Sequence, residues 1–82
     1  MIGIVTPTYN EAGNIPTLIE GLKPLDAQLI VVDDGSTDGT ASIAEEAGAI
    51  VIRRGSKLGL ASAYVRGMSK AIEMGLDPIV QM

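Results

Sequence analysis

The sequence predicts an α/β domain in which a four-stranded parallel sheet carries helices on both faces. Four short apolar runs alternate with three stretches whose apolar residues recur at helical spacing, which is the βαβαβαβ order of such a sheet. The runs are nearly continuous in apolar residues, as strands buried on both faces are. Right-handed crossovers favour the strand order 3-2-1-4, with a topological switch between strands 1 and 4. We treat residues 1–82 as a single small domain.

The four predicted strands are short, and turn formers separate them from the helices. Their ranges are Ile2–Thr6, Gln28–Val32, Ala49–Arg53 and Pro78–Met82. Pro7 is expected to stop the first strand, because proline cannot donate a hydrogen bond to a sheet. The fourth strand would lie at an apolar sheet edge, which is a surface suited to pairing with more chain or with a second copy. A homodimer formed through the strand 4 edge is therefore an open alternative.

Three helices are predicted between these strands. The first begins at the N-cap Asn14 and ends before Pro24. The second begins near Asp38–Thr40, with Asp38 as its cap, and the third runs from Gly59 to Gly75. We expect the third helix to bury an apolar stripe made of Leu60, Ala61, Tyr64, Val65, Met68 and Ile72.

The composition limits the chemistry that the chain can perform. Cysteine and histidine are absent, which excludes disulfides, thiol chemistry and imidazole catalysis. The net charge is −4 and the six basic residues are scattered, a poor footprint for nucleic acid, so no nucleic-acid partner is expected. Apolar runs are too short to cross a bilayer, and no signal peptide is recognised at the start, so we expect a cytoplasmic location.

The loop after the first strand reads Pro7-Thr-Tyr-Asn-Glu11. Tyr9 and Glu11 would project from the carboxyl end of a parallel strand, where ligands of such sheets bind. A tyrosine offers a flat apolar contact to a base, and a carboxylate accepts both hydroxyls of a ribose. The alternative is an ordinary polar turn, in which Asn10 caps a backbone group and Tyr9 covers the end of the sheet.

The loop after the second strand reads Val32-Asp-Asp-Gly-Ser-Thr-Asp-Gly-Thr40. A glycine before a helix suggests a phosphate cradle, but Asp33 and Asp34 would repel a bare phosphate. These carboxylates suit neutral donors instead, such as base N–H groups or ribose hydroxyls. We therefore interpret Asp34 as a nucleoside contact and Asp38 as the cap of the second helix.

The segment after the third strand, Arg53-Arg-Gly-Ser-Lys57, is basic. Its side chains either contact donor phosphate or an anionic acceptor, or form a solvated loop. Three other classes of α/β domain are excluded because their defining residues are missing. The chain has no G-x-G-x-x-G after strand 1, which a nicotinamide-binding fold requires, and no Gly-Lys-Ser/Thr, which a phosphate-loop nucleotidase requires. It also has no aspartate at the end of strand 3, which a receiver domain requires as phosphoacceptor.

Both loops, in this order and on these strands, resemble glycosyltransferase family 2, which has the GT-A fold. The segment Lys57-Leu-Gly-Leu-Ala-Ser-Ala-Tyr-Val-Arg-Gly-Met68 is similar to the corresponding stretch of dolichyl- and polyprenyl-phosphate mannose synthases. The resemblance covers the whole chain and matches the N-terminal part of that fold. By position it implies a nucleotide-sugar site made of Pro7, Tyr9, Glu11, Val32, Asp34 and Lys57.

The resemblance also implies a reaction. The parent enzyme would transfer mannose with inversion from GDP-mannose to a polyprenyl phosphate at the cytoplasmic face of a membrane. In this family Mg²⁺ or Mn²⁺ is held by an Asp-x-Asp motif directly after a strand like Ile79–Met82, where this sequence stops. We therefore expect no metal ligand, no catalytic residue and no turnover in these 82 residues. A UDP-sugar donor and a non-catalytic dimeric module are the alternatives.

Overall fold

The computed structural model describes residues 1–82 as one parallel sheet with the strand order β3-β2-β1-β4. The strands are β1 Ile2–Thr8, β2 Ala27–Asp34, β3 Ile50–Arg54 and β4 Ile79–Gln81, and the helices are α1 Ile15–Leu22, α2 Thr40–Glu46 and α3 Leu60–Glu73. The predicted element order and sheet order are confirmed. None of the three helices is long and apolar enough to cross a membrane.

Strands β1 and β2 extend further than the sequence predicts. Pro7 lies inside β1, opposite Val32, and does not end the strand. Proline is tolerated there because β4 pairs with β1 only as far as Val5, so that beyond this point β1 is an edge on the β4 side. Asp33 and Asp34 were predicted as a turn, but they are the last two residues of β2 and are buried.

The sheet separates two apolar cores. On one face, α1 and α2 cover a cluster made of Ile4, Ile15, Leu29, Val31 and Ala44. On the other face, Ala71 of α3 packs with Val5 and Ile30 of the sheet, and half-buried side chains of β3 and β4 contact this cluster. Because successive strand residues point to opposite faces, the acidic residues that end β2 are divided between the two sides.

Helix α3 packs through a different face from the predicted stripe. Its buried residues are small and four apart, namely Ala63, Gly67 and Ala71. Tyr64 and Met68 are half-buried beside them, whereas four members of the predicted stripe are exposed: Leu60, Ala61, Val65 and Ile72. A stripe of small residues lets the helix axis approach the sheet closely, and large side chains on that face would hold it away.

The start of α1 also departs from the prediction. The Asn14 side chain makes no capping bond to the helix. Its Nδ2 donates instead to Glu11 Oε2 at 2.9 Å, so this side chain orients a residue of the preceding loop. Pro24, predicted to end α1, lies in a short 3-10 turn, Lys23–Leu25, that links α1 to β2.

Two loops at the carboxyl end of the sheet are tied together by hydrogen bonds. We call residues 9–14 the first loop and residues 35–39 the second loop. The Asn10 N–H donates to Ser36 Oγ at 2.8 Å, and the Thr37 N–H donates back to Asn10 Oδ1 at 2.9 Å. Asn10 adopts φ 53°, a left-handed conformation that asparagine tolerates better than most residues. Each loop therefore holds the other in place.

Asp38 and Thr40 make the second connection between these loops. The Glu11 N–H donates to Thr40 Oγ1 at 2.9 Å, and that hydroxyl donates to Asp38 Oδ1. The Ala12 N–H donates to Asp38 Oδ2, and the N–H of Thr40, the first residue of α2, donates to Asp38 Oδ1. The predicted cap is wrong by one residue, because Gly39 is the N-cap of α2. Asp38 instead accepts a hydrogen bond from the first helical N–H and, in addition, fixes the first loop. The hydrogen bond from Thr40, followed by those from the backbone, lowers the pKa of Asp38 below its ordinary 3.8.

Substitution of Gly67 tests the close approach of α3. A Cβ at this position would lie 2.2 Å from Val5 Cγ1 and 3.1 Å from Val32 Cγ2, so Gly67→Ala must push the helix off the sheet. We expect a loss of about 1–3 kcal/mol in unfolding free energy, measured by urea denaturation. Gly21→Ala is the matched control, because nothing lies within 4 Å of its Cβ position on α1. The control should be stabilised by roughly 0.5–1 kcal/mol. A Gly67→Ala protein as stable as the wild type would contradict this packing.

The Asp38 connection should respond to acid. Because folding lowers its pKa, Asp38 contributes stability at pH values above 3.8, and that contribution disappears as the pH falls through the lower folded value. The difference in unfolding free energy between wild type and Asp38→Asn should therefore shrink below pH 3.8 and stay constant above neutrality. Urea titrations across this range measure it, with the exposed Asp26→Asn as control. A difference that does not change with pH would refute the assignment.

Candidate functional site

A pocket of about 320 Å³ opens at the carboxyl end of the sheet, between β1, β2 and the beginning of α3. It is lined by Pro7, Thr8, Tyr9, Glu11, Asp34, Lys57, Gly59 and Leu60. A smaller hollow of about 140 Å³ lies between α1, α2 and the start of β2, and no carboxylate lines it. The larger pocket is the candidate site, because it carries acidic, basic and aromatic groups where parallel sheets bind ligands.

Five of the six residues predicted from the sequence line this pocket. They are Pro7, Tyr9, Glu11, Asp34 and Lys57. The sixth, Val32, is fully buried beneath α3 and lies outside the pocket. Its place in the strand explains this result, because Val32 points to the α3 core and the pocket opens two residues further along β2.

The two adjacent acids that end β2 have different environments. Asp33 points to the α1 and α2 face, where its Oδ1 accepts hydrogen bonds from Thr8 Oγ1 at 2.7 Å and Ser36 Oγ at 2.5 Å. The backbone N–H of Ser36 donates to its other oxygen at 3.0 Å. Only 3% of the surface of Asp33 is exposed, and its hydrogen bonds tie the second loop to β1. Asp33 does not line the pocket. Asp34 points to the α3 face and lines the pocket.

Asp34 is held by Arg54, a residue for which the sequence analysis predicted no such role. These residues face each other in the register of β2 and β3. Arg54 Nε lies 2.6 Å from Asp34 Oδ1 and Nη2 lies 2.9 Å from Oδ2, and both side chains are more than nine-tenths buried. This paired hydrogen bond raises the pKa of Arg54 above its ordinary value. Strand β3 extends one residue beyond the predicted third strand, to Arg54, and a single sequence does not reveal the partner of this residue across the sheet.

The adjacent Arg53 faces the other way and is a surface residue. Its guanidinium pairs with Glu45 of α2 at 2.7 Å and also reaches Ser42 Oγ. The alternation of side chains along β3 therefore gives the two arginines separate partners. Of the two alternatives for this basic segment, contact of the arginines with an anionic ligand finds no support in these positions, because neither arginine lines the pocket.

Glu11, Tyr9 and Lys57 form the open side of the pocket. The hydrogen bond from Asn14 to one carboxylate oxygen of Glu11 leaves the other oxygen without a partner in the protein. Tyr9 is 44% exposed, and the Lys57 ammonium lies 4.4 Å from the centroid of its ring. An aromatic face stabilises a cation at this distance. A flat ligand that stacked on this face of Tyr9 would have to displace Lys57.

The pocket lacks the ligand set of a divalent metal site. No group of three or more acidic side chains lies close enough together to hold an ion. Asp33 is engaged by Thr8 and Ser36 and does not face the pocket, and Asp34 is paired with the guanidinium of Arg54, whose positive charge opposes a divalent cation at the same carboxylate. These residues do not fit a metal. The pocket is instead built to accept hydrogen bonds from N–H and O–H groups beside an aromatic ring.

Comparison with known proteins assigns the chain to a family. The model of glycosyl transferase family 2 matches residues 3–73. Polyprenol monophosphomannose synthase from Mycolicibacterium smegmatis is 36% identical over 87 aligned residues, which cover 96% of this chain and 33% of that protein. Undecaprenyl-phosphate mannosyltransferase from Micrococcus luteus is 35% identical over 85 residues, covering 95% of this chain and 35% of the relative. The chain thus spans about a third of the length of these relatives.

A solved structure shows the same arrangement of strands and helices. Glucosyl-3-phosphoglycerate synthase from Mycobacterium tuberculosis, in complex with Mn²⁺, UDP and glucosyl-3-phosphoglycerate, matches with a TM-score of 0.70 at 34% identity. The match covers 85% of this chain and 29% of that one. It confirms that the four-stranded sheet is the beginning of a GT-A fold. By fold and by sequence, the chain belongs to glycosyl transferase family 2.

Proposed function

We propose that this chain is the nucleotide-sugar-binding part of an inverting glycosyltransferase that transfers mannose from GDP-mannose to dolichyl or polyprenyl phosphate. The observation that carries the proposal is that Glu11, from the loop after β1, and Asp34, the last residue of β2, line the same pocket beside Tyr9. The names of the two relatives, a polyprenol monophosphomannose synthase and an undecaprenyl-phosphate mannosyltransferase, support the sugar and the acceptor.

In this proposal four of the lining residues contact the donor. Asp34 accepts hydrogen bonds from the N–H groups of the base, and the free oxygen of Glu11 accepts a ribose hydroxyl. Tyr9 lies against the base, and Lys57, displaced from the ring, moves toward the diphosphate. Pro7 forms the wall beside Tyr9. Val32 supports Asp34 from beneath and makes no side-chain contact with the ligand.

We propose Mg²⁺ or Mn²⁺ as the cofactor of the whole enzyme, as a Lewis acid that stabilises charge on the leaving nucleoside diphosphate. The M. tuberculosis relative was solved with Mn²⁺ and UDP. Since the acids of the present pocket do not fit a metal, these 82 residues should bind the nucleotide without transferring the sugar. We also propose that the whole enzyme acts at the cytoplasmic face of a membrane, where its lipid acceptor would lie. A UDP-sugar donor is the alternative, because the M. tuberculosis relative carries UDP.

Titration calorimetry with GDP and with UDP tests this proposal. The wild-type chain should bind one of the two diphosphates, and Asp34→Asn should weaken that binding by about tenfold or more, because a hydrogen bond to a charged group is lost. Asp26→Asn is the matched control, since it makes the same chemical change at the opposite end of β2. Circular dichroism confirms that each variant is folded.

The outcomes of this titration separate the donors as well as the functions. Preferential binding of GDP supports a GDP-mannose donor, and preferential binding of UDP supports the alternative. No binding of either nucleotide by the folded wild-type chain would sink the proposal. A mannose-transfer assay on polyprenyl phosphate should give no product with these 82 residues alone.

A second proposal concerns the free edge of the sheet. Strand β4 pairs with β1 on one side only; Val80 on this strand is 44% exposed, and Met82, directly after the strand, is 48% exposed. An exposed apolar edge favours pairing with another strand. We propose that, as an isolated chain, the protein forms a homodimer through β4.

Light scattering tests the dimer. The wild type should have twice the 8.5 kDa mass of one chain, and Val80→Glu should return it to one chain, because a charge would be buried at the joined edge. Leu25→Glu is the control, an equally exposed leucine in the turn before β2. A wild-type protein that remains at 8.5 kDa at every concentration contradicts the dimer.

A further inference from the structure

Arg54 lies directly behind the wall of the pocket and does not reach into it. The lining includes Asp34 and Gly59, and Arg54 contacts both of them from the protein side. Its side chain is 9% exposed. Arg54 is therefore separated from any ligand by the residues that it holds.

The contact with Asp34 fixes the carboxylate in orientation as well as in position. Two parallel hydrogen bonds, Nε to Oδ1 at 2.6 Å and Nη2 to Oδ2 at 2.9 Å, join two planar groups. Such a fork prevents the carboxylate from rotating about its terminal bond, which a single bond would allow. Each oxygen accepts one of these hydrogens and keeps further lone-pair capacity for a donor in the pocket.

The remaining hydrogens of Arg54 are directed to the beginning of α3. Nη1 donates to Ser62 Oγ at 2.7 Å, and Nη2 donates to the Gly59 carbonyl at 3.2 Å. One guanidinium therefore joins the last residue of β2 to the first turn of α3. No buried side-chain nitrogen or oxygen of the structure is left without a partner, so this arrangement satisfies every group that it buries.

We propose that Arg54 is a positioning residue for nucleotide recognition, which orients the Asp34 carboxylate toward the base. The inference rests on the proposed function of the pocket. Preorganised groups lose less freedom when a ligand binds, so loosening Asp34 should weaken base binding even though Arg54 does not touch the base. A lysine retains the charge but supplies a single flexible donor group in place of the fork.

The test compares the wild type with four variants by titration with whichever of GDP and UDP the wild type binds. Arg54→Lys should bind about tenfold more weakly, which is the size of coupling found between groups of one hydrogen-bond network. In the Asp34→Asn background, Arg54→Lys should cause no further loss, because Arg54 acts only through Asp34. Ser62→Ala removes only the hydrogen bond from Nη1 and should bind within about twofold of the wild type.

The outcomes distinguish this inference from the function on which it rests. One outcome is that the wild type binds nucleotide, Asp34→Asn binds it more weakly, and folded Arg54→Lys binds it as tightly as the wild type. In that case the proposed function stands and the positioning role of Arg54 is overturned. An additional loss from Arg54→Lys in the Asp34→Asn background also overturns it, since Arg54 would then act by another route. If the wild type binds neither nucleotide, both proposals fail together.

A measurement on the wild type covers the case in which Arg54→Lys does not fold. The Nε–H group of Arg54 donates to Asp34, so its NMR signal reports on the carboxylate that it holds. Saturation with nucleotide should shift this signal, whereas that of Arg53, which pairs with Glu45 on the other face, should stay in place. An Arg54 signal that does not move at saturation contradicts the proposal.

Discussion

The parallel register of β2 with its two neighbours is the constraint on which the site depends. It places Thr8 of β1 opposite Asp33, and Arg54 of β3 opposite Asp34, at the point where all three strands end. Both acids are thereby buried with hydrogen-bond partners, and burial without such partners would be strongly unfavourable. Because the pleat alternates, one carboxylate closes the second loop and the other faces the pocket.

The same end of the sheet is shaped by how closely α3 approaches it. Ala63, Gly67 and Ala71 bring the helix onto Val5 and Val32, and this sets the position of Gly59 and Leu60 at the edge of the pocket. Arg54 then connects the helix start to β2. The pocket walls therefore come from rigid elements, while the first loop, held by Asp38 and Thr40, supplies Tyr9 and Glu11. Rigid walls and a fastened loop are what a site needs to bind a flat polar ligand selectively.

The pocket lining carries two carboxylates, Asp34 and Glu11, which suit N–H and O–H donors better than a bare phosphate. Lys57 is the only basic side chain of the lining, and it rests on Tyr9. The proposed function uses the carboxylates for the nucleoside and a metal ion for the diphosphate, and the M. tuberculosis relative was solved with both UDP and Mn²⁺.

Local patterns predicted the order of elements and the 3-2-1-4 sheet, because strand and helix periods and turn residues are short-range signals. The two loop motifs, together with the family resemblance, predicted five residues of the pocket. No local pattern indicated that Val32 is buried away from the pocket, that Asn14 holds Glu11, or that α3 packs through its small residues. The pairing of Arg54 with Asp34 likewise emerged only from the folded sheet. Twenty residues separate these two side chains, and the register that brings them together depends on packing over the whole sheet, which no local pattern contains.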